Sequence, residues 1–292
     1  MKRLIFFIPL FLIVLFITLS KCDTSDYLVE RKMWKIQQKS VGLNLLPEAA
    51  LRKQADLIIN QYADLIKANP YSNLVPQLYL QMGGLHEIKG DFDDARELYQ
   101  QLLKKYQGQE EVKALVLMRL GLTYEQQKQD KEAIKYYRMI INDLPHTQLG
   151  FSMPVYMVNY YSRLGQKNEV KKSLGFANSF YKAKAEQHAN TVVGFKAVDI
   201  LVKTCIAQGK WQEAVDYLHQ LLLSYYKTPL IDAKKLSAII RAINLISLEK
   251  LHNPQAAIKG YEVFIKRYPD APLRSLLESL TKTLLDSPPK QR

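Results

Sequence analysis

Five histidines, two cysteines and one pair of adjacent glycines are the residues whose types could do chemistry in this chain. His86, His146, His188, His219 and His252 are dispersed, with no i, i+4 pair beside a glutamate, so no helix offers the two imidazoles and carboxylate of a zinc hydrolase. Gly83-Gly84 lies inside a helical stretch, where small residues serve close packing; it does not follow a strand as a phosphate cradle would. No Gly-x-Ser-x-Gly run supplies a hydrolase nucleophile. Cys205 stands on the apolar face of Val198, Leu201 and Val202, the setting of a buried structural thiol. The chain is therefore expected to hold no catalytic residue, no metal and no cofactor, and not to be an enzyme.

What those residues sit on is a repeated helical pattern. The 292 residues are 48% hydrophobic and 10% aromatic, which excludes a disordered chain, and twelve Gly and twelve Pro are scattered between helices. Leu117, Leu120, Gly121 and Tyr124 are spaced i, i+3, i+4 and i+7 on one helix face. Asp130 is placed to cap a second helix carrying Ala133, Tyr137 and Ile140, which Pro145 ends. This stretch resembles a tetratricopeptide repeat, matching its Leu-Gly, Tyr, Ala, aromatic and Pro positions, with Leu117 where the family most often has Trp. The resemblance implies an all-α fold: a right-handed superhelical α-solenoid of stacked helix-turn-helix repeats.

The same pattern divides the chain. Residues 23–70 form a degenerate first repeat, with a partly amphipathic helix over Tyr27, Val29, Met33, Trp34 and Ile36 and a partner helix over Glu48 to Asn69. Residues 71–270 hold the remaining repeats, about six in all, and 271–286 form a capping helix with Leu273, Leu276, Leu277, Leu280 and Leu284 on its stripe. Residues 287–292 are a tail. The turn-to-helix positions are read as Ala95, Ala133, Val170, Ala214 and Ala257, spaced 38, 37, 44 and 43 residues apart. The family's period is about 34, so these repeats have longer helices or connections. In this they resemble bacterial envelope lipoproteins built from such repeats, including the lipoprotein partner of the outer-membrane β-barrel assembly machine and the periplasmic coordinator of the Tol-Pal system. The run Tyr268-Pro269-Asp270-Ala271-Pro272 resembles their repeat ends.

Residues 1–22 have a different character. Lys2 and Arg3 precede sixteen uncharged, mostly apolar residues, Leu4 to Leu19. Leu19-Ser20-Lys21-Cys22 resembles a lipobox, apart from Lys21 where the family has a small residue, and the resemblance implies lipidation of Cys22. Two other fates are cleavage after Ser20, or retention as an anchor near the lower length limit for spanning a bilayer. Each places the body outside the cytoplasm: a cell-envelope protein on the periplasmic side. If Cys22 carries lipid, Cys205 is left alone and packing alone must hold the fold.

The repeat register implies a binding surface along the first helix of each repeat. By resemblance the partner-binding groove comprises Leu80, Leu115, Met118, Leu122, Val155, Asn159, Lys196, Lys203 and Arg241, with an apolar centre and a basic C-terminal side. Its occupants are expected to be segments of other envelope proteins or peptides, not nucleic acid. The formal charge of +13 leaves a second reading, a basic module for an anionic envelope polymer or lipid surface.

Overall fold

The computed structural model describes residues 26–286. The signal or anchor segment, Cys22 and the 287–292 tail lie outside the described residues. Thirteen α-helices and no strand occur among the described residues. They are α1 (Asp26–Gln38), α2 (Glu48–Ala68), α3 (Val75–Lys89), α4 (Phe92–Lys105), α5 (Glu110–Gln126), α6 (Asp130–Asp143), α7 (Gln148–Arg163), α8 (Lys167–Gln187), α9 (Val192–Ala207), α10 (Trp211–Tyr225), α11 (Ala233–Leu245), α12 (Gln255–Arg267) and α13 (Arg274–Leu285). None of them is long and apolar enough to cross a membrane. The chain divides into two compact units between Met153 and Pro154. That boundary falls within α7, at a proline that removes one helical hydrogen bond.

In unit 1 the helices pack as consecutive antiparallel hairpins, α3 on α4 and α5 on α6, with α4 also against α5. The reason is local. On α6 only Ala133, Tyr137 and Ile140 are buried, at i, i+4 and i+7, and on α5 Leu117, Leu120 and Gly121 meet them. Each fully buried large side chain contributes roughly 1.5–3 kcal/mol. Gly121 is small because a Cβ there would lie 2.4 Å from the Tyr137 ring, and a Cβ on Gly83 would lie 2.3 Å from Tyr99. The crossing of each hairpin is thus a glycine on the first helix under a tyrosine on the second.

The hairpin turns repeat one device. After α3, the Gly90 amide donates to the Glu87 carbonyl and Asp91 to His86; after α5, Lys128 donates to Glu125 and Gln129 to Tyr124. In unit 2, Gly165 with Gln166 and Gly209 with Lys210 close α7 and α9 in the same way. This double bond satisfies carbonyls at the helix end and needs a left-handed residue. Gly90, Gly165 and Gly209 supply it at φ of 80°, 69° and 68°, while Lys128 adopts φ 58°.

Unit 2 packs α8 on α9, α9 on α10, α10 on α11 and α12, and α12 on α13. Two of its helices start with side-chain caps, Thr191 accepting from Gly194 and Asp232 from Lys235. Cys205 is buried, as its place on the stripe implies, and burial raises its thiol pKa.

Several local expectations change. Gln129, not Asp130, is the N-cap of α6, and Asp130 begins the helix, where its charge meets the positive end of the dipole. Val170 is only half-buried; Ala177 and Tyr181 hold the positions that Ala133 and Tyr137 hold in α6, because the 21-residue α8 starts two turns earlier relative to its partner. On α1 Val29, Met33 and Ile36 face the core, while Tyr27 and Trp34 stand outside it. On α13 Leu277 and Leu284 are buried, whereas Leu276 is exposed.

Candidate interaction site

The first helices of adjacent hairpins, α3 and α5, border a cleft of about 590 Å³ in unit 1, closed at one side by Ser40 and Tyr62. Leu80, Leu85 and Ile88 line it from α3 and Leu115 from α5, with Gln81, Gly84, Glu87, Arg119 and Gln126 as its polar and small members. Ile88 and Leu115 are exposed, whereas Leu85 belongs to the core beneath.

One polar network fixes this wall. The Tyr99 hydroxyl donates to Glu87 Oε1 at 2.5 Å, Arg119 Nε donates to the same hydroxyl at 3.1 Å, and Arg119 Nη2 lies 3.0 Å from Glu87 Oε1. Gln126 donates to the second oxygen of Glu87 at 3.4 Å. The Glu87 side chain is only 6% exposed. A carboxylate this buried is tolerable because it is ion-paired and hydrogen-bonded. Burial opposes the Arg119 charge, yet Tyr99 and Glu87 together raise its pKa. Burial also pushes the Tyr99 phenol well up, so it stays a neutral donor. Gly84 leaves room for the Arg119 guanidinium, which would lie 2.9 Å from a Cβ there. The next hairpin repeats the contact: Tyr137 donates to Glu125 at 2.6 Å, again twelve residues apart.

In unit 2 a second groove, about 420 Å³, runs between α11 and α13. Leu236, Ile240, Leu245, Leu248, Leu273, Leu276 and Leu280 make its walls, with Arg241, Asn244 and Glu249 among them. The Tyr261 hydroxyl donates to Asn244 Oδ1 at 2.8 Å and holds that amide in place. Nearby, Asp199 lies between Lys203 at 2.7 Å and Lys235 at 2.5 Å. Burial opposes its ionisation, but the two lysines hold its carboxyl below the usual range.

The residues expected from sequence are distributed among these features. Leu80 and Leu115 meet in the unit 1 cleft, and Arg241 lies in the unit 2 groove. Met118, Leu122 and Val155 are half-buried, and Asn159 and Lys196 are exposed; they line neither cavity. Lys203 is engaged by Asp199. The Glu87–Arg119–Tyr99 network had no place in the sequence reading, though the twelve-residue spacing in Glu87–Tyr99 and Glu125–Tyr137 is a signal that could have found it.

Among the described residues one trio has the types to hold a metal: His86, Asp91 and Asp94 place ligand atoms within 4.8 Å of one another. Asp91 is already held by Arg52 at 2.9 Å and Lys89 at 2.8 Å, and Lys89 also reaches Asp56 at 2.6 Å. A cation would have to displace both, so the donor set fits a turn clamp better than an ion site.

The tetratricopeptide repeat family matches over residues 74–143 with one of its models and over 197–230 with another. No curated protein matches the chain. Among solved structures, BtubC (BKLC) from P. vanneervenii is 12% identical, over 90% of this chain and 95% of that one, with a TM-score of 0.42. A tetratricopeptide repeat protein from Parabacteroides merdae is 10% identical, over 88% and 99%, with a TM-score of 0.35. The family matches fall one in each unit, the first on the hairpins with the Gly83–Tyr99 and Gly121–Tyr137 crossings, and the chain carries tetratricopeptide repeats over those two stretches.

Proposed function

We propose that this protein is an exported, membrane-tethered scaffold that holds partner proteins of a cell-envelope assembly or transport complex. Its repeats support protein–protein interaction. The observation that carries the groove assignment is the unit 1 cleft, where Ile88 and Leu115 stand exposed and Leu80 half-buried beside a wall made rigid by Glu87, Arg119 and Tyr99. Apolar anchors on a rigid helix face bind a segment through a few side chains, because little entropy is lost in ordering the receptor. The tether rests on sequence: Lys2 and Arg3, the apolar run Leu4 to Leu19, and Cys22 as the lipid acceptor.

Replacing Ile88 and Leu115, both exposed in the cleft, with Asp tests the groove. Capture of envelope partners by crosslinking should be lost while circular dichroism still reports a folded helical protein; unchanged capture would remove these residues from the site. A second reading, a basic module for an anionic polymer or lipid surface, is favoured by unit 2, where described Lys and Arg number 19 against 11 Asp and Glu. Salt separates the two: capture that survives about 0.5 M salt is apolar, and release at that strength is electrostatic.

A further inference from the structure

The outer face of α1 has no protein partner among the described residues. Tyr27 and Trp34 are 68% and 56% exposed, and being seven residues apart they share one side of the helix, opposite Val29, Met33 and Ile36. Arg31 lies between them, and Arg31, Lys32 and Lys35 are exposed and make no ion pair with another described residue. A third aromatic stands next to the start of this helix. The Asp26 carboxylate accepts from the Ser72 hydroxyl at 2.5 Å and from the Asn73 amide and side chain at 3.2 and 2.9 Å. That latch fixes the 69–73 loop against the first turn of α1, and Tyr71 on the loop is 97% exposed. The hydrogen bonds from Ser72 and Asn73 lower the Asp26 pKa, so the latch carries a charged carboxylate at neutral pH.

A soluble surface gains nothing from Tyr27 and Trp34 exposed along one helix face with Tyr71 exposed on the loop at its start; water-facing helices usually carry Lys and Glu there. Tyr and Trp beside unpaired Arg and Lys is the composition of a bilayer interface, where amphipathic rings sit among headgroups and cations meet anionic lipid. The N-terminal residues outside the described ones run to Ser25, directly before α1, and their apolar run stops at Leu19. Only six residues, 20–25, separate that run from α1, a reach of at most about 20 Å when extended.

We propose that α1 and the Asp26-latched loop dock on the bilayer, with Tyr27, Trp34 and Tyr71 in the headgroup region and Arg31, Lys32 and Lys35 on anionic phospholipid. This rests on the membrane-tethered reading above and adds to it an orientation for unit 1: the α1 surface faces lipid. The occupant is the membrane itself, and a protein partner of the same face is one outcome of the test.

The sequence contains two tryptophans, one in each unit, which makes the test direct. Full-length Trp211→Phe, with Trp34 as its one indole, and Trp34→Phe, with Trp211, are reconstituted into phosphatidylethanolamine–phosphatidylglycerol vesicles containing acyl-brominated lipid. Trp34 emission should shift to the blue and lose roughly half its intensity, as expected for a ring ~5–10 Å into the interface, and the Trp34→Phe variant reports Trp211 separately. Co-flotation with vesicles and no quenching of Trp34 would overturn the docking and leave the tether intact, pointing instead to a protein on that face. A chain that does not float with vesicles at all would overturn the tether and the docking together.

Discussion

Units 1 and 2 share one hairpin design but treat charge in opposite ways. Over the described residues, unit 1 carries 17 Lys and Arg against 16 Asp and Glu, a net +1, whereas unit 2 carries 19 against 11, a net +8. In unit 1 the charges are organised: Arg119 on Glu87, Arg52 and Lys89 on Asp91, and Arg96 on Asp93 while it also donates to Gln127 at the end of α5 in the next hairpin. In unit 2 the half-buried Asp199 serves two lysines, and surplus cations rest over aromatic rings, such as Lys250 over Trp211 and Lys227 over Tyr268, as Arg96 does over Tyr124 in unit 1. Paired charges make a stiff wall; surplus cations make a surface that attracts anions from a distance. Unit 1 buries Glu87 with its partners and its unmatched His86 Nδ1 lies 3.6 Å from Asp94, whereas unit 2 buries His219 with Nε2 unmatched.

That contrast gives the largest expected effect. His219 is packed against Gly260 and edge-on to Tyr261, with Nε2 lacking a hydrogen-bond partner. Burial lowers its pKa to about 4 from 6.5; Asp216 and the Ala257 backbone oppose the shift, and Lys259 adds to it. The unfolded chain therefore binds a proton that the folded chain refuses between pH 6.5 and 4, so the stabilising effect of a neutral His219 is complete above pH 6.5 and lost as pH falls through that window. The loss approaches about 3 kcal/mol by pH 4. Urea melts at pH 7 and pH 4.5 should show it for unit 2, and His219→Leu should flatten this pH dependence. An equal dependence in the variant would place the acid lability elsewhere.

The next effect concerns the glycines. Gly121→Ala pushes a methyl into the Tyr137 ring at the α5–α6 crossing and should cost about 1–3 kcal/mol, because a packed hairpin has no slack. In unit 2, Gly175 lies on the exposed side of α8 with nothing near its Cβ direction, so Gly175→Ala should stabilise by roughly 0.5–1 kcal/mol through the unfolded chain. Opposite signs for one chemical change, read from chemical denaturation, separate a packing glycine from an unfilled one. Equal signs would mean that the α5–α6 crossing relaxes more easily than its geometry implies.

The glycine contrast also shows where the sequence was readable. For α5 and α6 it was nearly complete, since Leu117, Leu120, Gly121, Ala133, Tyr137 and Ile140 all lie buried where their spacing puts them. On α8 the period was right and the turn wrong: Val170, Leu174 and Ala177 share a stripe, and only the partner helix decides which of them meets it. Periodicity fixes a face, not an axial position. On α1 the partly amphipathic pattern took in Tyr27 and Trp34, but the 3–4 spacing of Val29, Met33 and Ile36 already defined the buried side. Of the site, Leu80 and Leu115 were reachable from repeat register. The network around Glu87 was not, because it forms only when α3, α4 and α5 are stacked and none of its residues is unusual alone.

The smallest effect tests the turns that link the two helices of each hairpin. Gly90, Gly165 and Gly209 take the left-handed position at no steric cost, whereas Lys128 pays for its Cβ at φ 58° while making the same pair of closing hydrogen bonds. Lys128→Gly relieves that strain but gives the unfolded chain more freedom to lose, so the two contributions partly cancel and the net gain should be about 0.5 kcal/mol. Gly165→Ala moves the opposite way, by about 1 kcal/mol, since it introduces the strain without any compensating contact. Measured side by side in thermal melts, the first should raise the midpoint of the transition that includes unit 1 and the second lower that of unit 2. If Lys128→Gly were instead destabilising, the lysine side chain would be making a contact worth more than its backbone strain, and the turn of the third hairpin would have to be counted among the features that set unit 1 apart from unit 2.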